Sequence, residues 1–171
     1  ESLLQLAQFE NSHTSDHATR VHISDIIDKA IKKIQPIAQK KHIDIHATIS
    51  KIQIYGRENE LIDLFVILLD NAIKYSHKGG RIDLKVAPMN KSIQFEISDT
   101  GIGIPQEHIP RIFERFYRVD PARSREMGGT GLGLAIVKHI ANRHQAYLEI
   151  SSEEGKGSTF SIVFPVKRRL D

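Results

Sequence analysis

The sequence contains no cysteine and no tryptophan, and its longest purely apolar run is only Leu64 to Leu69. Without cysteine there are no disulfides and no thiolate chemistry, as suits a reducing compartment. Without a run of about 20 apolar residues there is no membrane-spanning helix. A strong charge of one sign is also missing: 24 basic residues stand against 21 acidic ones, a net charge of +3. With no repeated interleaving of aromatic and basic residues either, no nucleic-acid partner is expected. The sequence opens at Glu1 without an initiator Met, in what reads as mid-helix, and no signal peptide is visible, so a longer parent protein is expected. At 171 residues the chain fits one domain, burying roughly 70% of its unfolded surface.

What the sequence does have is glycine used locally. Ser92 to Ser98 alternates polar and apolar residues, as a half-buried strand does, and DTGIGIP follows from Asp99 to Pro105. That order puts a carboxylate at a strand end, with Gly101 and Gly103 allowing a sharp bend and close approach to a flat ligand. A second run, GGTGLGLAI from Gly128 to Ile136, leads into an apolar-periodic helix, so its amides lie at a helix N-terminus, where phosphate binds well. Between the runs crowd Arg111, Arg115, Arg118, Arg123 and Arg125. They read either as a solvated basic face or as partners for a polyanion.

The remaining pattern alternates helices and strands. Ser2 to about His17 is helix-like, with an apolar side in Leu3, Leu4, Leu6, Ala7 and Phe9 that needs a partner. Ser24 reads as the N-cap of an amphipathic helix from Asp25 to about Lys41, with Ile26, Ile27, Ala30, Ile31, Ile34 and Ile37 inside and Pro36 placed to kink it. Ile43–Ala47 and Ile52–Tyr55 read as short strands. In the helix from about Glu58 to Tyr75, Leu61, Leu64, Phe65, Leu68 and Ala72 form a core stripe, while Asn71, Lys74 and Tyr75 are neighbours at its edge. Arg81–Ala87 pairs with Ser92–Ser98 as a hairpin. Arg111 to Asp120 reads as a short helix with Phe113 and Phe116 apolar. Pro121 to Met127 has little periodicity and reads as a mobile lid or an ordinary surface loop. Leu132–Arg143 is helix, and Ala146–Ser151 and Thr159–Phe164 are strands around a Gly155-Lys156-Gly157 turn.

Taken in order, the Asn71 helix, DTGIGIP, FERFYR, GGTGLGLAI and the final GKGSTF strand resemble the catalytic ATP-binding domain of bacterial sensor histidine kinases, over about Ser24 to Val166. The resemblance implies the α/β Bergerat fold, a two-layer sandwich whose mixed sheet is covered on one face by helices, with a mobile ATP lid. It implies residues 1–22 as the end of a dimerisation-domain helix with its linker, and residues 23–171 as the catalytic domain. FYRVD with GGTGLGLAIVK resembles the kinase branch of a superfamily that includes topoisomerase, chaperone and mismatch-repair ATPases.

Carried onto this sequence, the resemblance gives Asp99 the adenine amine and Thr159 a water-mediated contact to the adenine edge, and makes Asn71 the Mg²⁺ ligand. It gives Lys74 and Arg118 the phosphates and makes Tyr75 a pocket wall. Gly101, Gly103, Ile104 and Tyr117 join the nucleotide site, as do Gly129, Thr130, Gly131, Leu132 and Gly133 at the lid's end. Phe113 and Phe116 would anchor the lid base. Asn71, Lys74 and Arg118 would serve catalysis, with ATP and Mg²⁺ as cofactors. The implied partners are a histidine-bearing dimerisation domain of the same kinase and a response regulator. The implied parent is a homodimer anchored in the cell membrane, with this domain in the cytoplasm.

The sequence departs from the family pattern at two places. Ile67, one turn before Asn71, stands where the kinases have Asn and related ATPases a catalytic Glu, so no water-activating carboxylate is expected there. Gln145-Ala146 replaces a Gly-Gly turn. None of the nine histidines carries the signature of the phospho-acceptor, so the chain is not expected to label itself. His13 with His17, and His42 with His46, have i,i+4 spacing but no convincing third metal ligand.

Overall fold

The computed structural model describes residues 17–166, and Ala7 alone before them, which is helical. The helix expected over Ser2–His17 otherwise lies outside the described residues, and His17 itself is not helical.

Five strands make the main sheet: β2 (Asp44–Ile49), β4 (Arg81–Met89), β5 (Ser92–Asp99), β6 (Tyr147–Glu153) and β7 (Gly157–Pro165), in the order β2-β4-β5-β7-β6. The β2–β4 pair is parallel and the others antiparallel, which makes the sheet mixed as expected. Alternation explains its two faces. Ile82, Leu84 and Val86, Ile93, Phe95 and Ile97, and Phe160, Ile162 and Phe164 are buried on one face. Lys85, Glu96 and Ser161 lie across from one another on the other face, none of them buried.

Helices α1 (Ile23–Lys40), α2 (Glu58–Tyr75) and α4 (Gly133–Arg143) cover the apolar face. Leu61, Leu64, Phe65, Leu68 and Leu69 are fully or almost fully buried along α2, and Phe65 meets Phe95 with ring centroids 5.2 Å apart. Phe95 in turn meets Phe164 edge-on at 5.1 Å. Strands β1 (Thr19–His22) and β3 (Gln53–Gly56) form a separate antiparallel pair, so residues 19–22, expected as linker, are strand.

Several local expectations are corrected. Helix α1 begins at Ile23, its N-cap position is His22 with no side-chain cap, and Ser24 Oγ turns to the Asp25 carboxylate at 3.4 Å instead. Ile37 is 46% exposed rather than inside, and the helix continues past Pro36. Over Arg111–Asp120 there is no α-helix, only a 3₁₀ turn at Ile109–Arg111 followed by irregular chain. Phe116 has φ +65 and donates its N–H to Gly131 O at 2.8 Å, which leaves its ring 48% exposed. It does not pack into the core as expected; Phe113 does, edge-on to Phe160 at 6.4 Å. Pro121–Glu126 forms a short helix, α3, because the Asp120 carboxylate accepts from Ala122 N–H and Arg123 N–H. Gln145 carries φ +55, the conformation glycine adopts without strain.

Away from the sheet end that matters for function, Glu60 is 1% exposed. Arg143 holds it from Nη2 at 2.9 Å and Nε at 3.2 Å. Beside it, His144 donates from Nδ1 to Ile140 O at 2.8 Å and accepts the Arg57 N–H at Nε2, 3.0 Å away. Both ring nitrogens are thus committed to the neutral tautomer, and burial lowers the imidazole pKa. The unfolded chain therefore binds the extra proton more readily. Stability is expected to fall as pH drops below about 6.5, the unfolded value, down to the lower folded value. Denaturant midpoints measured from neutral to acidic pH check this, with His144→Asn flattening that part of the curve.

Candidate nucleotide site

At the end of β5 the chain opens a cavity of about 540 Å³ between α2, the loop after Asp99, and the segment from Tyr117 to Gly133. Asp99 sits in its wall. The carboxylate accepts Gly101 N–H at 2.9 Å and the backbone N–H of Ser158, and burial pushes its pKa up against both. Gly101 is required there: a Cβ would stand 2.3 Å from Tyr75 O. The neighbouring Ile102 N–H bonds that same oxygen at 3.1 Å, tying the loop to the end of α2. Lys41 closes that helix end, donating from Nζ to Ile73 O and Lys74 O at 2.8 and 2.7 Å.

On α2, Ile67, Asn71, Lys74 and Tyr75 all reach the cavity. The half-buried Asn71 carboxamide makes no side-chain hydrogen bond among the described residues. Lys74 Nζ is paired with Asp70 at 2.7 Å, a partner that i,i+4 spacing could have revealed. From the opposite side come Gly103, Ile104, Tyr117, Arg118, Gly129, Thr130, Gly131 and Gly133. Tyr117 is fixed by a hydrogen bond between its hydroxyl and His108 Nδ1, and the Arg111 guanidinium lies 4.4 Å over its ring. Arg118 Nη2 donates to Gly129 O, so it ties together the two ends of the segment from residue 118 to residue 129. Thr130 Oγ1 accepts Leu132 N–H at 3.3 Å.

Three expected residues do not line the wall. Gly101 lies behind Asp99, and Leu132 is buried at 2% exposure. Thr159 is on the wrong face of the sheet: its Oγ1 meets Ser98 Oγ at 2.8 Å, and Ser158 lines the cavity in its place. The signal was present, because the alternation that buries Phe160, Ile162 and Phe164 also turns residue 158 to their face. Sequence reading also missed Asp70, Glu154 and Met127, which the cavity includes. Among the described residues no group of three or more His, Asp or Glu is gathered to hold a metal. His42 lies in a turn and His46 in β2; His13 is outside the described residues.

A sheet ending in a half-buried carboxylate, faced by a helix with an unpartnered carboxamide and closed by glycine-rich chain, has the parts of a nucleotide site. Residues 56–168 match the family described as histidine kinase-, DNA gyrase B-, and HSP90-like ATPase, and this chain belongs to it. Within that family its likeness is to histidine kinases. It is 40% identical over 164 residues to the signal transduction histidine-protein kinase ArlS of Staphylococcus aureus, covering 96% of this chain and 36% of ArlS. The chain thus spans about a third of the curated relatives' length. Among solved structures it superposes on the mycobacterial sensor histidine kinase MprB with a TM-score of 0.76 at 29% identity, covering 86% of this chain and 97% of that one. Full-length ShkA in complex with AMPPNP gives 0.78 at 24% identity, covering 96% and 35%, a likeness of fold. The chain is an ATP-binding domain of the sensor histidine kinase type.

Proposed function

We propose that this domain binds ATP with Mg²⁺ and presents the γ-phosphoryl group to a histidine on a dimerisation domain, for onward transfer to a response regulator. The observation that carries the reading is the pairing of Asp99, a half-buried acceptor in the cavity wall, with the unpartnered Asn71 carboxamide on its α2 wall. A carboxylate accepts directly from the exocyclic amine of adenine. A neutral amide oxygen suits Mg²⁺, whose other positions phosphate oxygens and water fill. When bound, that ion would neutralise charge on the phosphate oxygens.

The chain's own residues position the ligand. Tyr75, Gly103 and Ile104 border the base, and the amides from Gly129 to Gly133 lead into the N-terminus of α4 beside the phosphates. Lys74 exchanges Asp70 for phosphate, and Arg118 exchanges the Gly129 carbonyl for it. Tyr117, held by His108 and Arg111, keeps the backbone that carries Arg118 in place. In the transfer a P–N bond forms to the acceptor imidazole as the bond to the β–γ bridging oxygen breaks; ADP leaves and the imidazole proton passes to solvent. Such catalysis is mainly positioning and charge neutralisation. We place the accepting histidine, the homodimer contact and the membrane anchor in the remainder of a longer protein, with this domain on the cytoplasmic side. Among the described residues no helix is long and apolar enough to cross a membrane.

The test is phosphate transfer in trans, with labelled ATP, Mg²⁺ and the cognate acceptor domain supplied. Asn71→Ala is expected to lower the transfer rate about 100-fold. A second reading, nucleotide binding without transfer, draws on Ile67, which brings an apolar side chain to within 3.1 Å of where a Cβ on Gly133 would lie. ADP binding with no phosphohistidine on an intact acceptor would select that reading.

A further inference from the structure

Behind Asp99 lies a chain of hydroxyls whose proton positions are fixed by counting. Ser152 Oγ accepts Ile104 N–H at 2.8 Å, stands 3.0 Å from Gly157 O and 2.8 Å from Ser158 Oγ. Gly157 O can only accept, so the single hydroxyl proton of Ser152 goes there. Sending that proton to Ser158 instead would leave two oxygen acceptors facing each other at 3.0 Å. Ser158 must then donate its own proton to Ser152. Both serines are buried, at 8% and 7% exposure, so bulk water does not reorder the chain. Gln106 Nε2 fixes the outer end of the strand, donating to Ser152 O at 2.7 Å.

The consequence reaches the cavity. Ser158 lines the wall next to Asp99, and its hydrogen is turned away. We propose that Ser152 is a specificity-determining positioning residue: by taking the Ser158 proton it makes the floor around Asp99 acceptor-only, so the site accepts a purine with a 6-amino group and rejects a 6-oxo one. This rests on the reading of Asp99 as the base-recognition residue. A 6-amino purine offers a donor to that floor, whereas a 6-oxo purine turns a lone pair towards lone pairs. Burying an unmatched polar group is the costly outcome, which is why a site built on hydrogen bonds discriminates well. Ser152 touches no ligand and acts only through Ser158.

The experiment is calorimetric titration of this chain with ADP and with IDP, its 6-oxo counterpart. The wild type is expected to prefer ADP, and Ser152→Ala to narrow the ADP-to-IDP ratio by about tenfold, because the freed Ser158 hydroxyl can rotate and donate. In a Ser158→Ala background the same Ser152 substitution should leave the ratio unmoved. A merely structural Ser152 would weaken both nucleotides in parallel. A ratio unchanged in Ser152→Ala, or shifted equally with and without Ser158, overturns the proposal. If Ser152→Ala does not fold, Ser152→Cys gives the same comparison, since a thiol keeps the shape with weak hydrogen bonding. Wild-type binding of ADP that Asp99→Asn leaves untouched would instead defeat the underlying reading, which separates the two failures.

Discussion

Asp99→Asn is expected to raise the Kd for ADP about 100-fold, on the order of 3 kcal/mol, because a charged acceptor is lost and an amide donor is turned towards the adenine amine. The fold should not suffer. The Asp99 pKa lies above the ordinary carboxylate value because burial disfavours the anion, so the folded chain holds that proton more tightly than the unfolded one. Stability contributed by this residue therefore falls as pH rises through that range, and at neutral pH the ionised group costs the fold something. Asn keeps an oxygen for Gly101 N–H and removes that cost, so the unfolding midpoint should hold or rise. Binding has the opposite dependence. Adenine affinity in the wild type should drop on acidification, beginning above the usual carboxylate range, as the anion is protonated. In Asp99→Asn that slope should vanish. Calorimetry against pH measures both, and wild-type affinity independent of acidification would contradict the assignment.

The largest stability effect is expected at Gly157. It has φ +118, and a Cβ there would stand 2.0 Å from Asp99 O, a backbone atom that cannot step aside. Gly157→Ala should cost roughly 3 kcal/mol or more in denaturant unfolding, with ADP binding lost because Asp99 is pushed from its place. Gly155, on the same turn, has φ +82 but open space around it. Gly155→Ala should therefore cost only about 1–2 kcal/mol of backbone strain. Equal losses at the two positions would show that the close approach of β7 to Asp99 is not what demands glycine.

Much of this arrangement was legible in the letters. The α2 stripe of Leu61, Leu64, Phe65 and Leu68 predicted its own burial, and alternation predicted the hairpin of β4 and β5. Such patterns arise from period alone, and period survives tertiary packing. What failed depended on contacts distant in sequence. The positive φ of Phe116 answers to Gly131, fifteen positions on, so helical spacing over Arg111–Asp120 was misleading. Asp120 nucleates α3 by capping, a local signal passed over because the segment lacks apolar periodicity. Thr159 was misplaced by a single step. In a strand one residue is the whole difference between two faces, and a family motif read as letters does not say which letter points inward. The cavity wall was legible where helix neighbours sufficed, since Asn71 and Lys74 both line it. It was read incompletely where two strands and a loop meet, at Ser152 and Ser158.

Helix α2 is at once the keel of the core and one wall of the cavity, with Phe65 against the sheet and Asn71 nearly two turns further along, facing the cavity. Occupancy and global unfolding are consequently linked on one free-energy scale: a bound ligand defends the entire domain against heat, and loosening the hydrocarbon behind the helix weakens recognition without touching a recognising atom.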